Sequence, residues 1–116
     1  MALFVLLQAA LAGSFMSGSA AARDLHGTLG EAVAGTLSLV VLVVAVIAWR
    51  GGHLRRSTAI VALVGLAATA VQISIGIDGT VSVHVPLGVA LFGLYLSMAH
   101  LTGNRRPAPI GEVTAR

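Results

Sequence analysis

Residues 37–49 read LSLVVLVVAVIAW, and Arg50 follows them directly. So dense an apolar run, ending at an aromatic residue and a cation, is typical of a helix that leaves the hydrocarbon core of a membrane at Trp49. The whole composition agrees: 57% of the 116 residues are apolar, 9% are charged, and the mean hydropathy is +0.97. Soluble domains carry roughly 25% charged residues, so the sequence predicts an integral protein of the lipid bilayer.

Three further apolar stretches accompany this one. The predicted spans cover residues 2–22, 26–49, 57–77 and 84–102, each near the ~20 residues that a helix needs to cross a bilayer. The chain has none of the period-2 alternation that a β-barrel requires. We therefore expect an all-α fold, a four-helix transmembrane bundle in residues 1–103, followed by an irregular cytoplasmic tail in residues 104–116.

The distribution of arginine predicts the orientation. The basic residues of the second loop and the tail include Arg50, Arg55, Arg56, Arg105 and Arg106. The first loop has only Arg23 beside an acid, and the third loop has no basic residue. By the positive-inside rule, both termini are cytoplasmic and loops one and three lie outside the cell (plasma) membrane. The same scatter excludes a nucleic-acid-binding stripe, and the absence of cysteine excludes thiolate metal sites.

The N-terminal stretch has one feature of a signal peptide. The segment SGSAAA at residues 17–22 resembles a signal-peptidase site, but no Lys or Arg precedes the apolar run. Cleavage would also leave three spans and break the internal repeat described next. We expect residues 1–22 to be retained.

The polar residues inside the spans repeat. Gln8 in span one is followed by His26 and Gly30 at the start of span two, and Gln72 in span three is followed by His84 and Gly88 at the start of span four. The pattern predicts two tandem two-helix repeats, related by a pseudo-twofold axis along the membrane normal. Such an axis puts spans two and four in opposed positions across the bundle, and the two histidines at the same depth, near the outer face.

The spacing of His and Gly suggests a cofactor site. Residues i and i+4 share one helix face, so Gly30 and Gly88 each leave a flat patch beside an imidazole. A planar macrocycle against both patches, with His26 and His84 as metal ligands, describes a bis-histidine haem site. The alternative is a pair of interfacial histidines that are hydrogen-bonded to loop carbonyl groups.

Other polar residues have two interpretations each. Gln8 and Gln72 either hydrogen-bond between helices or accept the second ring proton of a ligating histidine. Arg23 either neutralises haem propionates or is a solvated loop charge. Glu31 points away from the His26 face and pairs with a serine or with another subunit of a homo-oligomer. His100 has no histidine opposite it, so we exclude a second haem.

The polar residues and glycines of the spans carry a resemblance to a known family. They are Gln8, Gln72, His26 to Gly30, and His84 to Gly88 with Pro86. From about Leu3 to Leu101 the chain resembles one half of the haem A synthase family, and also small uncharacterised four-span membrane proteins of actinobacterial type. The resemblance implies a four-helix bundle whose histidine pair ligates haem near the outer face. The synthase family has a Glu three residues before its first histidine and an Arg just after; here Arg23 and Gly27 stand there. We therefore expect the histidine pair to be placed for haem ligation, and we do not expect the chain to catalyse methyl hydroxylation.

Three functions remain as hypotheses. The first is a haem-b-binding membrane protein for electron transfer or haem handling, more a binding protein than an enzyme, with quinol or a larger membrane complex as its partner. The alternative is a cofactor-free accessory subunit of a larger respiratory or transport complex. The third is a small multidrug exporter, a class that needs an acid in its first span, whereas Glu31 is in the second.

Overall fold

The computed structural model describes residues 1–103, which form four helices and no β-strand. Helix α1 is Ala2–Met16, and helix α2 runs unbroken over Ala20–Arg50. Helix α3 is Arg56–Ile77, and helix α4 is Val81–Gly103. The predicted all-α class with four helices is confirmed for this part of the chain. The predicted tail at residues 104–116 lies outside the described residues.

The boundary between the first two helices differs from the prediction. Helix α1 ends at Met16 rather than at residue 22, and α2 begins at Ala20 rather than at residue 26. Between them Gly18 has a φ of +101°, and the Ser19 hydroxyl accepts a hydrogen bond from the Ala22 N–H at 3.2 Å, which caps α2. A count of apolar residues misses this turn because the alanines beyond it are as apolar as α1 itself. The segment that resembles a cleavage site, residues 17–22, forms the turn and the first three residues of α2.

The helices differ in length. Helix α2 has 31 residues, against 22 in α3 and 23 in α4, so it is roughly 46 Å long where its neighbours reach roughly 33–35 Å. Each of these three is long and apolar enough to cross a membrane. Helix α1 has 15 residues and falls short of the ~20 that a perpendicular span requires. The structure thus supports three of the four predicted spans by length and composition.

The helices pack as a closed ring of neighbours. Helix α1 packs against the first ten residues of α2 and against α4, while α3 packs against residues 35–50 of α2 and against α4. Helices α2 and α4 therefore lie diagonally across the bundle, as the sequence predicts for spans two and four. This diagonal places the start of α2 opposite the start of α4.

Small residues make up most of the buried core of the described chain, and Leu91 and Tyr95 are the large residues among them. Ala45, Ala59 and Ala62 are buried together where α2 meets α3. Large side chains such as Leu39, Val44 and Ile47 are half exposed or more. A protein with small residues inside and large aliphatic ones outside has the composition expected for helix contacts in lipid.

Candidate histidine site

The two histidines singled out in the sequence lie against each other. The ring centroids of His26 on α2 and His84 on α4 are 6.0 Å apart, with an angle of 70° between the ring planes. Both side chains are half-buried. The diagonal arrangement of α2 and α4 therefore brings together the two residues on which the cofactor prediction depends.

Each histidine makes the same hydrogen bond to a glutamine of the preceding helix. The Nδ1 atom of His26 lies 3.0 Å from the main-chain oxygen of Gln8, and that of His84 lies 3.0 Å from the main-chain oxygen of Gln72. A carbonyl oxygen only accepts hydrogen bonds, so these contacts require the proton on Nδ1. In that tautomer Nε2 carries a free lone pair, as in histidines that bind metals. Sequence reasoning pointed to the right glutamines, but the main chain makes this contact.

The Gln72 side chain supports His84 from a second direction. Its Nε2 donates a hydrogen bond to the His84 carbonyl oxygen at 2.8 Å. Its Oε1 is buried and has no hydrogen-bond partner among the described residues. The same amide lies against Gly88, where an added Cβ would be 3.0 Å from Nε2. The space beside Gly88, expected to face a planar ring, is thus occupied by Gln72.

The Gln8 side chain faces the equivalent atoms of α2. In the amide orientation that satisfies its hydrogen bonds, Nε2 donates to the His26 carbonyl oxygen at 3.2 Å and Oε1 accepts from the Gly30 N–H at 3.0 Å. The same orientation puts Nε2 2.8 Å from Nδ1 of His26. That contact needs a lone pair on Nδ1, whereas the contact with the Gln8 main chain needs a proton there. The two contacts require opposite tautomers of His26.

Two glycines differ in what surrounds them. A Cβ added at Gly30 would meet nothing within 4 Å, so this side of the pair is open. A Cβ added at Gly76 would lie 2.8 Å from Cε1 of His84. Gly76 therefore allows the close approach of the His84 ring. It was missed because glycine is common in membrane helices; its one signal is its position one turn after Gln72.

A cleft opens beside His26 at the α1–α2 turn. The Phe15 ring lies 5.5 Å from the His26 ring, and the Arg23 guanidinium lies 6.0 Å from the Phe15 ring. The open cleft has a volume of about 300 Å³ and is lined by Phe15, Gly18, Ser19, Ala20, Arg23 and Asp24. Arg23 thus places a positive charge in the cleft, next to the Phe15 ring that contacts His26.

The helix that carries His26 contains a π-helical turn. It covers Gly30–Ala34, directly after the first ten residues of α2. A π-turn adds one residue to the helical turn and is frequent at functional sites. Glu31 lies in this turn and is exposed. The sequence carries no signal for this feature beyond the pair Gly30 and Gly35 that flanks the segment.

A second polar cluster lies deeper in the bundle. The hydroxyl groups of Ser38 (α2), Thr69 (α3) and Tyr95 (α4) are within 3.1–3.2 Å of one another, and all three residues are buried. One arrangement satisfies each donor: Tyr95 donates to Ser38, Ser38 to Thr69, and Thr69 to the Gly65 carbonyl oxygen at 2.8 Å. This cluster fixes the relative positions of three helices, and sequence reasoning missed it because single hydroxyls in apolar helices are common.

Among residues 1–103, no group of three or more His, Cys, Asp or Glu side chains could hold a metal ion. The site therefore offers two imidazole nitrogens and one nearby arginine. Comparison of the chain with protein-family models, curated proteins and solved structures finds no match.

Proposed function

We propose that the chain is an integral membrane protein that binds haem b through His26 and His84, near the outer face, for electron transfer or haem handling. The observation that carries the proposal is the histidine pair: two imidazoles from diagonal helices, 6.0 Å apart, each with Nδ1 on a main-chain oxygen. Such outer contacts orient histidines for metal binding through Nε2.

The donor set fits haem better than a free metal ion. Two nitrogens leave a free ion short of the four ligands that zinc prefers, whereas a porphyrin supplies four nitrogens itself and needs only axial ligands. Two imidazoles on one metal, with bonds of about 2 Å, have ring centres roughly 6 Å apart, close to the separation here. Bound there, haem supplies reversible one-electron chemistry.

The protein's own residues have separate roles in this proposal. His26 and His84 hold the iron, and Arg23 offers a charge partner for a propionate. Gly30 keeps its side of the pair free of side-chain atoms. Gly88 has no direct role in ring packing, since the Gln72 amide covers it.

The matching contacts also support the tandem two-helix repeat. Gln8 and Gln72 each place a main-chain oxygen on the next helix's histidine and an amide on that histidine's carbonyl oxygen. With arginines concentrated in the second loop and the tail, the positive-inside rule puts both termini in the cytoplasm. The histidines then lie at the outer end of a plasma-membrane protein, where a quinol or a partner protein can exchange electrons.

An absorption spectrum tests the proposal. We expect protein purified in detergent and supplied with haem to give the low-spin spectrum of two axial imidazoles, with one haem per chain. The His26→Ala and His84→Ala variants should each lose this six-coordinate spectrum, while the matched controls His53→Ala and His100→Ala keep it. Folded wild-type protein that takes up no haem would overturn the proposal.

A cofactor-free accessory subunit of a larger membrane complex remains the second candidate, and helix α1 favours it. Leu3 and Leu6 on α1 are more than half exposed and Leu7 is nearly so. The helix is also short for a span, so a partner helix would cover its apolar faces. In this case purified protein is colourless and leaves the membrane as part of a complex of defined composition.

A further inference from the structure

The contacts that hold His84 differ from those that hold His26, and this difference determines which histidine is the more firmly held. His84 has one contact at Nδ1, the main-chain oxygen of Gln72. Its ring also lies against Gly76, and its carbonyl oxygen accepts from Gln72 Nε2. Both partners belong to α3, joined to α4 by a turn of three residues. Helix α3 therefore holds both the ring and the main chain of His84, with the ring in the tautomer that leaves the Nε2 lone pair free.

His26 has two competing contacts at the same atom. The Gln8 main-chain oxygen at 3.0 Å requires the proton on Nδ1, while the Gln8 amide nitrogen at 2.8 Å requires the proton on Nε2. A histidine with its proton on Nε2 has no lone pair there for a metal. The glycines along this part of α2, Gly27 and Gly30, have nothing within 4 Å of an added Cβ, so side-chain packing does not clamp the helix at these positions.

We propose, on the basis of the haem-binding function above, that His84 is the permanent axial ligand and His26 the exchangeable one, with the Gln8 amide promoting exchange. With the Gln8 amide donating to Nδ1 of His26, Nδ1 would have given its proton to water and Nε2 would have taken one from water, so His26 would have no lone pair with which to hold iron. A small neutral ligand could then take the place of His26, for which carbon monoxide is the probe. The site therefore combines a permanent ligand from α4, His84, with an exchangeable ligand on the α1–α2 side, His26.

The two glutamines provide a matched pair of variants. Gln8→Leu removes the amide and leaves His26 with the main-chain contact alone, as at His84. We expect it to lower the carbon monoxide affinity of the reduced, haem-loaded protein by about tenfold, the lower range for changes to groups that orient a metal ligand. Gln72→Leu removes an amide of the same size that contacts the His84 carbonyl oxygen and not its Nδ1 atom, and should lower haem retention without the tenfold fall in carbon monoxide affinity.

The histidines themselves provide the second measurement. His26→Ala should retain haem in a five-coordinate, high-spin state that binds carbon monoxide more tightly, whereas His84→Ala should lose haem on gel filtration. Helix content by circular dichroism identifies any variant that fails to fold. Equal haem retention in the two variants, or equal effects of the two glutamine substitutions, would overturn the assignment of His26 as the exchangeable ligand. A wild-type protein without haem overturns the function itself, which separates the two failures.

Discussion

Glycine has a different role at each position around the histidine pair. At Gly76 the His84 ring occupies the space beside the position that a Cβ atom would take. The Cε1 and Nδ1 atoms of the ring lie 2.8 Å and 3.1 Å from that position. At Gly30 the same space is empty. The first glycine is therefore required for ring placement, while the second leaves room for a ligand. Two substitutions of identical chemistry should separate these roles.

We expect Gly76→Ala to lower haem retention more than Gly30→Ala does. The methyl group at position 76 must push the His84 ring away and break its contact with Gln72, and overpacking of this kind costs roughly 1–3 kcal/mol. The methyl group at position 30 enters open space and adds about 1 kcal/mol of helix propensity. Haem content per folded chain, measured at equal helix content, checks the pair. Equal retention would show that Gly76 does not position His84.

The hydroxyl cluster gives a second prediction at the residue scale. A Cβ added at Gly65 would lie 2.9 Å from the Tyr95 oxygen, so Gly65→Ala should destabilise the bundle by roughly 1–3 kcal/mol. Tyr95→Phe should cost about 0.5–1.5 kcal/mol, the usual net value of one hydrogen bond, because Ser38 and Thr69 keep main-chain acceptors. Free energies of unfolding in mixed micelles measure both.

The double variant tests whether the two changes share one cause. With the phenol oxygen removed, the new methyl group loses its closest contact, although Cζ remains 3.2 Å away. The double variant should therefore be less destabilised than the sum of the single changes, as expected for residues in direct contact. Strict additivity would mean that Gly65 does not accommodate the Tyr95 hydroxyl.

At the scale of the elements, the α1–α2 turn decides where His26 stands. The turn at Ser17–Ser19 pairs α1 with the first ten residues of α2, and this pairing brings Gln8 and Phe15 to His26. The prediction placed the turn about six residues later, near Arg23 and Asp24, because those charges interrupt the apolar run. Local geometry, a left-handed glycine followed by a serine cap, determines the turn instead.

Gly18→Ala should weaken this hairpin. The φ of +101° at Gly18 lies in the left-handed half of conformational space, where a residue with a Cβ atom loses about 1–2 kcal/mol. We expect a lower thermal midpoint and reduced haem retention. Gly13→Ala is the control: it lies in α1, has no left-handed φ and would meet nothing within 4 Å, so it should be neutral or stabilising. Similar decreases of the thermal midpoint and of haem retention in Gly18→Ala and Gly13→Ala would mean that the hairpin tolerates a methyl group at neither glycine.

For the whole molecule, the sequence predicted the helical class and the histidine pair but not the side-chain packing between the helices. Polar residues such as Gln8, His26, Gln72 and His84 stand out in apolar sequence because each is costly in lipid, and they are the residues that the bundle brings together. Helices that are apolar all round give no face to orient, so the Ser38, Thr69 and Tyr95 cluster could not be found. The π-turn in α2 likewise has no signal in the sequence beyond the glycines that flank the segment.

The orientation of the whole bundle rests on its charges and gives the last prediction. The cluster of arginines between α2 and α3 lies at the opposite end of the bundle from the α1–α2 turn and from Asp78. The chain has no cysteine, so single cysteines are unambiguous reporters. In intact cells an impermeant maleimide should label Asp24→Cys and Asp78→Cys and miss His53→Cys, which should react only after the membrane is opened. Because the histidine pair lies at the end that carries Asp24 and Asp78, the reverse labelling would move the proposed haem site to the cytoplasmic side and make an intracellular electron donor necessary.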